Sequence, residues 1–417
     1  MSEFNYDSHF GKLLLTLKRE GRYRVFIELL RKAGSFPEAD QFLQSERAPM
    51  TVWCSNDYLG MGQNPVVLKA MHETLEEHGA GAGGTRNISG NHHLVCALEH
   101  ELADLHHKDA ALVFSSGYVA NETALSTLGR VLPNCIIYSD SHNHASMIEG
   151  IRHSGAEKHI FQHSDPDDLE KKLRAAPAEQ PKIVAFESVY SMGGDIAPML
   201  ELANVARKYG ALTYLDETHA VGLYGPRGGG LAEREDLLNF FDVIQGGLGK
   251  GFGVVGGFVT GGADLIDVIR SYGNGFIFTT SMPPVVAAGA LASVRYLKTH
   301  SAERTNLFRT VGMVREMLDQ AGIPLLKTES HILPVMVGDS RLCKQAADLL
   351  LEKHRIYIQP INYPTVPRGT ERLRVTPSPL HTAAMADQLV SALQEVFDQL
   401  EVEFTDTVGE IKESAQA

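Results

Sequence analysis

The sequence predicts an α/β fold, a mostly parallel sheet with helices on both faces, followed by a smaller α+β domain. Three observations carry this. Short apolar runs ending in polar residues, "AALVFSSGY", "CIIYSD", "KIVAFES" and "ALTYLDE", read as buried strands. Helix-like segments such as "DPDDLEKKLRAA" and "MLELANVARKYG" lie between them, and this alternation implies parallel strands joined by crossover helices. After "FTTSMPPVVAAGALASVRYLK" the pattern changes, and two strong helices flank the strand-like "HILPVMVGD", "IYIQPI" and "RLRVTPS".

Taken in order, residues 12–32 place apolar side chains at helical spacing with basic residues between them, which predicts an N-terminal amphipathic helix. "GSFPEADQF" breaks that pattern, and "TVWCSNDYLGMG" reads as a short strand running into a turn. Leu94, Leu98, Leu102 and Leu105 form a helical stripe ahead of the first buried strand. The expected organisation is an N-terminal segment over 1–55, a large domain over 56–295, a small C-terminal domain over 296–402 and a polar tail over 403–417. There is no internal repeat and no low-complexity tract.

The chain has 417 residues, of which 43% are hydrophobic and 21% charged, and a formal net charge of −13. A phosphate backbone demands a basic face, so nonspecific nucleic-acid binding is disfavoured. A phosphorylated ligand gripped by a few local groups is not. Cys54, Cys96, Cys135 and Cys343 show no CxxC pairing, which favours incidental thiols in a reducing compartment. The N-terminus has acidic residues early and only a short apolar run, unlike a signal peptide, and no apolar segment approaches the ~20 residues of a membrane span. The expectation is a cytoplasmic protein with neither membrane nor nucleic acid as a partner.

"GGLGKGFGVVGGF" sets seven glycines around a single Lys250. A P-loop would need glycine where Ile244 stands and Ser or Thr where Gly251 stands, so that reading fails on spacing. "GAGAGGTRNISG" is a weak dinucleotide loop, because no strand–turn–helix unit with an acid downstream follows it. "HELADLHH" fails as a zinc motif because Asp104 stands four residues after His100, and His142 and His144 lack completing ligands. No metal site is expected.

A different constellation is informative. "ALTYLDETHAVGLYG" ends a buried strand with Asp216, His219 follows, and Lys250 lies beyond the next apolar strand "FDVI". An acid at one strand end and a lone lysine past the next is what pyridoxal 5'-phosphate (PLP) enzymes need: an amine for a Schiff base and a carboxylate that keeps the pyridine nitrogen protonated. "SSGYVAN" adds small residues and free backbone N–H groups at the start of a helix, suited to a phosphate. Each alone has a dull reading, Asp216 as a turn cap and Lys250 as a solvated loop residue. Together, in this order, the cofactor reading is the stronger.

Eight motifs, "TVWCSNDYLGMG", "GAGAGGTRNISG", "FSSGYVAN", "NHASMIEGIRHSG", "FESVYSM", "DETHAVGLYGPRGGG", "LGKGFG" and "NYPTVPRGTERLRVTPSP", resemble the 5-aminolevulinate synthases, a branch of the α-oxoamine synthases. The resemblance runs from about residue 14 to 400 and implies the fold type I of PLP-dependent transferases. It makes Lys250 the Schiff-base lysine and acid–base catalyst, Asp216 the partner of the pyridine nitrogen, and His219 the partner of the phenolic oxygen. His144 stacks on the ring, Ser191 also contacts the cofactor, and Gly117 and Tyr118 hold the phosphate through their backbone. Thr279 and Thr280 reach the phosphate of the neighbouring subunit, so a homodimer with shared sites is implied. Arg374 holds the glycine carboxylate by bidentate geometry. Arg24, Asn87 and Thr365 match positions for the distal carboxylate of succinyl-CoA, Ser139 and Lys158 match coenzyme A contacts, and Asn56 and Thr85 join the substrate-binding set.

The implied reaction condenses glycine with succinyl-CoA, releases CO2 and coenzyme A, and yields 5-aminolevulinate, the first step of tetrapyrrole (haem) biosynthesis. Two alternatives stay open: a sibling synthase of the 2-amino-3-ketobutyrate or 8-amino-7-oxononanoate type, and a catalytically silent binding protein of the same fold. The chain departs from the family pattern at Gly247, where a threonine is usual, at Gly193 for an acid, at Gly251 for alanine and at Thr218 for valine. The expectation is one phosphate contact fewer at Gly247, weaker cofactor retention, and a looser backbone around Lys250.

Overall fold

The apolar runs become neighbouring strands because each is too short and too apolar to satisfy its backbone except inside a sheet covered on both faces. The computed structural model describes residues 4–43 and 46–402; the expected tail over 403–417 lies outside the described residues. Strands in chain order are β1 (Leu29–Arg31), β2 (Glu38–Leu43), β3 (Glu46–Val52), β4 (Ala110–Phe114), β5 (Ile136–Asp140), β6 (Glu157–Phe161), β7 (Lys182–Glu187), β8 (Leu212–Asp216), β9 (Val243–Gly247), β10 (Gly257–Gly261), β11 (Leu333–Met336), β12 (Ile356–Tyr357), β13 (Pro360–Ile361) and β14 (Arg372–Val375). The chain divides into two units. One comprises the chain up to Ser55, Met192–Gly194 and the chain from Phe308 onward; the other comprises Asn56–Ser191 and Asp195–Leu307.

The larger unit is built on a seven-stranded sheet in the order β4-β10-β9-β8-β7-β5-β6. Pairings along β6, β5, β7, β8 and β9 are parallel. β10 runs antiparallel to both β9 and β4, with Gly257 opposite Gly247 and Phe114. The sequence reading did not single out β6 or β10. β6 is an edge strand whose first residues are exposed, and β10 begins inside the glycine-rich stretch, so neither carries a clear apolar pattern. Leu112 and Phe114 of β4, Ile137 of β5, Ile183 of β7, Tyr214 of β8 and Val259 of β10 form one continuous core with Leu125 and Leu128 of the helix Gly117–Val131. Full burial of each such side chain is worth about 1.5–3 kcal/mol.

In the smaller unit, β1, β2, β3 and β12 form one sheet, and β11, β14 and β13 a second. The chain up to Ser55 belongs to this unit. Trp53 is fully buried, its ring lies 3.9 Å from that of His381, and Thr376 bonds the carbonyls of Trp53 and Ser55. The N-terminal helix expected over 12–32 is instead Tyr6–Arg19, and none of its residues is buried. It stops because Gly21 takes a left-handed φ of 66° and its N–H turns back to the Lys18 carbonyl. The chain after it leads on to β1.

The loop after β5 is pinned by Asp140, which is 2% exposed. Its carboxylate accepts from the His142 amide, the Ser164 amide and the His163 ring. The other His163 nitrogen bonds Asp195 at 2.8 Å, and the ring stacks on His142 at 3.9 Å. Burial works against charge on His163, but the hydrogen bonds and charges of Asp140 and Asp195 outweigh it and raise the imidazole to about 10.

His163 therefore stabilises the fold in full below the ordinary value of about 6.5, and that contribution is lost as pH rises through about 10. We expect the unfolding free energy measured by urea titration to fall across this window, with a slope of at most about 1.4 kcal/mol per pH unit. His163→Gln should flatten that slope; an unchanged slope in the variant would show that His163 is not its source.

Candidate active site

The stretch "GGLGKGFGVVGGF" is a hairpin. Gly246 and Gly247 end β9, Gly257 and Phe258 open β10, and Lys250 stands in the turn between them. Leu248 and Phe252 are fully buried on either side of the lysine. The turn is closed by the Gly253 N–H on the Lys250 carbonyl at 2.9 Å, and Ser293 holds the Phe252 carbonyl at 2.8 Å. A Cβ at Gly253 would fall 2.3 Å from the Gly62 nitrogen, so the turn packs directly on the loop that carries Asn56 and Tyr58.

From this turn Lys250 Nζ reaches His219 Nε2 at 2.8 Å. His219 Nδ1 lies 2.9 Å from the Tyr58 hydroxyl, which donates to Asn56 Oδ1 at 3.2 Å. A chain with one proton per bond runs from the Lys250 ammonium through a neutral His219 and Tyr58 to Asn56. Asp216, at the end of β8, is 4% exposed. Its Oδ1 accepts from the Thr218 amide at 2.7 Å and its Oδ2 from Asn121 Nδ2 at 2.7 Å. It is a buried carboxylate with donors at its back.

His144 caps the helix Ala145–Ser154, and its Nδ1 accepts from the Ser146 amide. Its own N–H donates to Glu187 at the end of β7 at 2.6 Å. Burial lowers the His144 imidazole, opposed by the charge of Asp216 and aided by that of Lys250. Burial, with the nearby Asp216 charge, raises Glu187 well above the ordinary carboxylate range. Burial likewise raises Glu217, which accepts from Ser188, Leu231 and Ala232, to about 7.

At the other end of the site the helix Gly117–Val131 begins, capped by Ser116 on the Val119 amide. A Cβ at Gly257 would fall 2.4 Å from the Gly117 Cα, so β10 passes this N-terminus with no side chain between them. Gln245, fully buried, donates to the Gly117 and Gly246 carbonyls and accepts from the Thr218 hydroxyl at 2.9 Å. That bond sets the Thr218 rotamer, and a Cβ at Gly247 would then meet the Thr218 methyl at 2.8 Å. In this arrangement a larger residue at 247 would require Thr218 to shift. Gly251 is crowded as well, since a Cβ there would lie 2.2 Å from the Val221 carbonyl oxygen.

The other expected residues divide by unit. Arg24 and Thr365, 341 positions apart, meet at 3.3 Å in the smaller unit, where Arg374 sits 6% exposed on β14. In the larger unit Thr85 pairs with Thr280 across an isolated bridge, and Asn87 is exposed two residues on. Arg86 braces this loop with a bidentate pair to Glu99 at 2.6 and 2.8 Å. Thr279 and Ser191 are half-buried, Tyr118 and Lys158 are exposed. Ser139 is buried within β5, its hydroxyl engaged by Asn143 and the Asp140 carbonyl. Asn121, Ser146, Glu187 and Gln245 were not singled out by sequence reading, although "SSGYVAN" contains Asn121, "NHASMIEGIRHSG" contains Ser146 and "FESVYSM" contains Glu187.

These residues fit PLP. The donor set offers an amine, a buried carboxylate for a pyridine N–H, a histidine for a phenolic oxygen, and a helix N-terminus that a Cβ at Gly257 would fill. Fold and site define a class, the PLP-binding enzymes of the aminotransferase class I and II type, and the profile of that family matches residues 48–393. The chain is 58% identical to the 5-aminolevulinate synthase of Rhizobium meliloti over 95% of this chain and 98% of that one. It is 56% identical to 5-aminolevulinate synthase 2 of Cereibacter sphaeroides over 93% of this chain and 96% of the relative. A serine palmitoyltransferase variant from S. paucimobilis, solved with a bound PLP–myriocin aldimine, superposes with a TM-score of 0.88 at 31% identity, covering 96% of this chain and 100% of the other. The chain belongs to the 5-aminolevulinate synthase family.

Crowding at position 247 yields a double-variant prediction. Gly247→Thr alone should destabilise the protein by about 1–3 kcal/mol, the range for overpacking, and weaken PLP binding. Thr218→Ser removes the obstructing methyl and keeps the hydroxyl on Gln245, so Gly247→Thr in that background should recover both. Thermal melts and equilibrium dialysis of PLP check this; equal losses in the two backgrounds would refute the clash.

Proposed function

We propose that the protein is a PLP-dependent acyltransferase that condenses glycine with succinyl-CoA, releasing CO2 and coenzyme A to form 5-aminolevulinate. The observation that carries this is the pairing of Lys250 with His219 beside the buried Asp216, in a chain 50–58% identical over most of its length to enzymes named for that product. Lys250, Asp216, His219, His144, Ser191 and the Gly117–Tyr118 amides would hold the cofactor. PLP supplies the electron sink that lets negative charge develop at the glycine α-carbon.

The protein's own groups do the rest. The Asp216 carboxylate, kept an acceptor by Asn121 and the Thr218 amide, holds a proton on the pyridine nitrogen. The Lys250 amine, released from covalent duty, takes the proton from the glycine α-carbon and returns one after CO2 departs. Its hydrogen bond to His219 gives that proton a neutral acceptor close by. Arg374 takes the glycine carboxylate, and Arg24, Thr365 and Asn87 take the distal carboxylate of the acyl donor. A carboxylate without such partners would be costly to desolvate. Lys158 meets coenzyme A from the sheet edge. The four free thiols support a reducing compartment, the cytoplasm, and no helix among the described residues is long and apolar enough to cross a membrane.

A homodimer with shared sites completes this reading. Phe278, 79% exposed, adjoins Thr279 and Thr280, and Ile88, 67% exposed, adjoins Asn87, on segments joined by the Thr85–Thr280 bridge. Large apolar side chains clustered on one surface suit an isologous interface.

A product assay with glycine and succinyl-CoA tests the reaction directly, and faster turnover with acetyl-CoA would overturn the donor assignment. Arg24→Leu should raise KM for succinyl-CoA about tenfold or more, as expected for a lost charged hydrogen bond, and leave use of acetyl-CoA unchanged. For the assembly, Phe278→Glu should shift the mass measured by light scattering from dimer toward monomer and weaken PLP retention. A wild-type monomer would refute the shared site.

A further inference from the structure

Asn121 lies one turn inside the helix Gly117–Val131 and is 2% exposed. Its amide nitrogen donates to Asp216 Oδ2 at 2.7 Å and to Ser146 Oγ at 3.0 Å, and its oxygen accepts from the Tyr214 hydroxyl at 2.8 Å. The carboxylate dictates the orientation of the amide, because the flipped amide would set its oxygen against Asp216. Both amide hydrogens are then spent. Ser146 Oγ, having accepted one, has its own proton left for His144 Nδ1 at 2.7 Å. The Ser146 amide donates to the same nitrogen at 3.2 Å. With two donors facing Nδ1, the ring proton of His144 belongs on Nε2.

Close helix packing makes this relay possible. A Cβ at Gly150 would fall 3.0 Å from the Asn121 carbonyl oxygen, so the helix Ala145–Ser154 lies against the backbone at Asn121, with Ser146 one turn before that contact. The inner members of the relay are buried, Tyr214 fully, Asn121 at 2% and Ser146 at 1% exposure, while His144 at its end is exposed. A fully satisfied network of this kind holds one arrangement of protons.

We propose that Asn121 is a positioning residue that couples the two side chains meant for the cofactor ring: it aims the Asp216 carboxylate and, through Ser146, holds His144 as the neutral Nε2–H imidazole. A neutral ring is what that place requires, since a histidinium laid against a protonated pyridine would set two cations face to face. The charged and titratable groups around His144 are Glu187 on its amide, Asp216, Lys250 and the Tyr118 ring at 6.4 Å. Asp216 pulls the imidazole toward protonation, while burial and Lys250 oppose it. The inference rests on reading Asp216 and His144 as the groups that meet the cofactor.

The test is long-range 15N spectroscopy of the holoenzyme labelled at histidine, with His144→Gln to assign the signal, alongside equilibrium dialysis of PLP. The wild type should show His144 as a neutral Nε2–H tautomer from pH 6 to 8. Ser146→Ala removes the hydroxyl and leaves only the 3.2 Å backbone amide on Nδ1, so an Nδ1–H population should appear beside the Nε2–H form, with PLP affinity unchanged. Asn121→Ala should release the tautomer likewise and also raise the PLP dissociation constant about tenfold for the hydrogen bond lost from Asp216. If Asn121→Ala does not fold, Ser146→Ala still decides the His144 arm. A protonated or Nδ1–H His144 in the wild type, or an unchanged tautomer in both variants, overturns the inference and leaves the cofactor reading standing. A protein that fails to bind PLP, or whose His144 signal ignores it, overturns both.

Discussion

A carboxylate can be buried only if the fold brings donors to it. Asp216 is 4% exposed, and its two donors come from different places: the Thr218 amide from the turn just after β8, and Asn121 from a helix 95 residues earlier. Meeting that requirement sets the order of much of the larger unit. The helix after β4 must cross the sheet so that its first turns face the end of β8, and the helix after β5 must pack closely enough for Ser146 to join. The same placement leaves the start of the first helix open beside β10. The charge that suits a pyridine nitrogen and the helix N-terminus that suits a phosphate are thus two consequences of one packing arrangement.

The glycines obey a second constraint, that of space. β9 and β10 form the antiparallel hairpin that carries Lys250, and β10 is wedged between β9 and β4 against the start of a helix. A side chain at Gly257 would strike Gly117, and one at Gly246 would strike Phe258 at 2.4 Å. The stretch reads in sequence as conformational freedom, but in the fold it is a rigid turn between two fully buried apolar anchors. Gly247 follows the same logic at one remove: Thr218 is held by Gln245, and its methyl takes the room that a larger residue would need.

Much of the fold was legible because strand runs and helix stripes are local patterns. β5, β7 and β8 lie where the apolar runs placed them, and Leu98, Leu102 and Leu105 are buried as their spacing implied. The N-terminal helix was overextended because apolar spacing continues past Gly21, where the backbone turns left-handed. Lys250, Asp216 and His219 were legible because the acid ends one strand and the lysine lies just past the next, where polar residues after apolar runs are conspicuous. Asn121, Ser146 and Gln245 were not, since a polar residue inside a helix or strand looks the same whether it faces water or a buried carboxylate.

The sequence by itself determined the class of fold and the cofactor chemistry and pointed to Lys250, because alternation, strand-end acids and a lone amine among glycines are properties of short windows. Only the tertiary structure decided that β10 reverses direction, that Arg24 meets Thr365, and that Asn121 ties Asp216 to His144. Those are contacts between residues far apart in the chain, and hydrogen-bond direction exists only once donor and acceptor have been brought within about 3 Å.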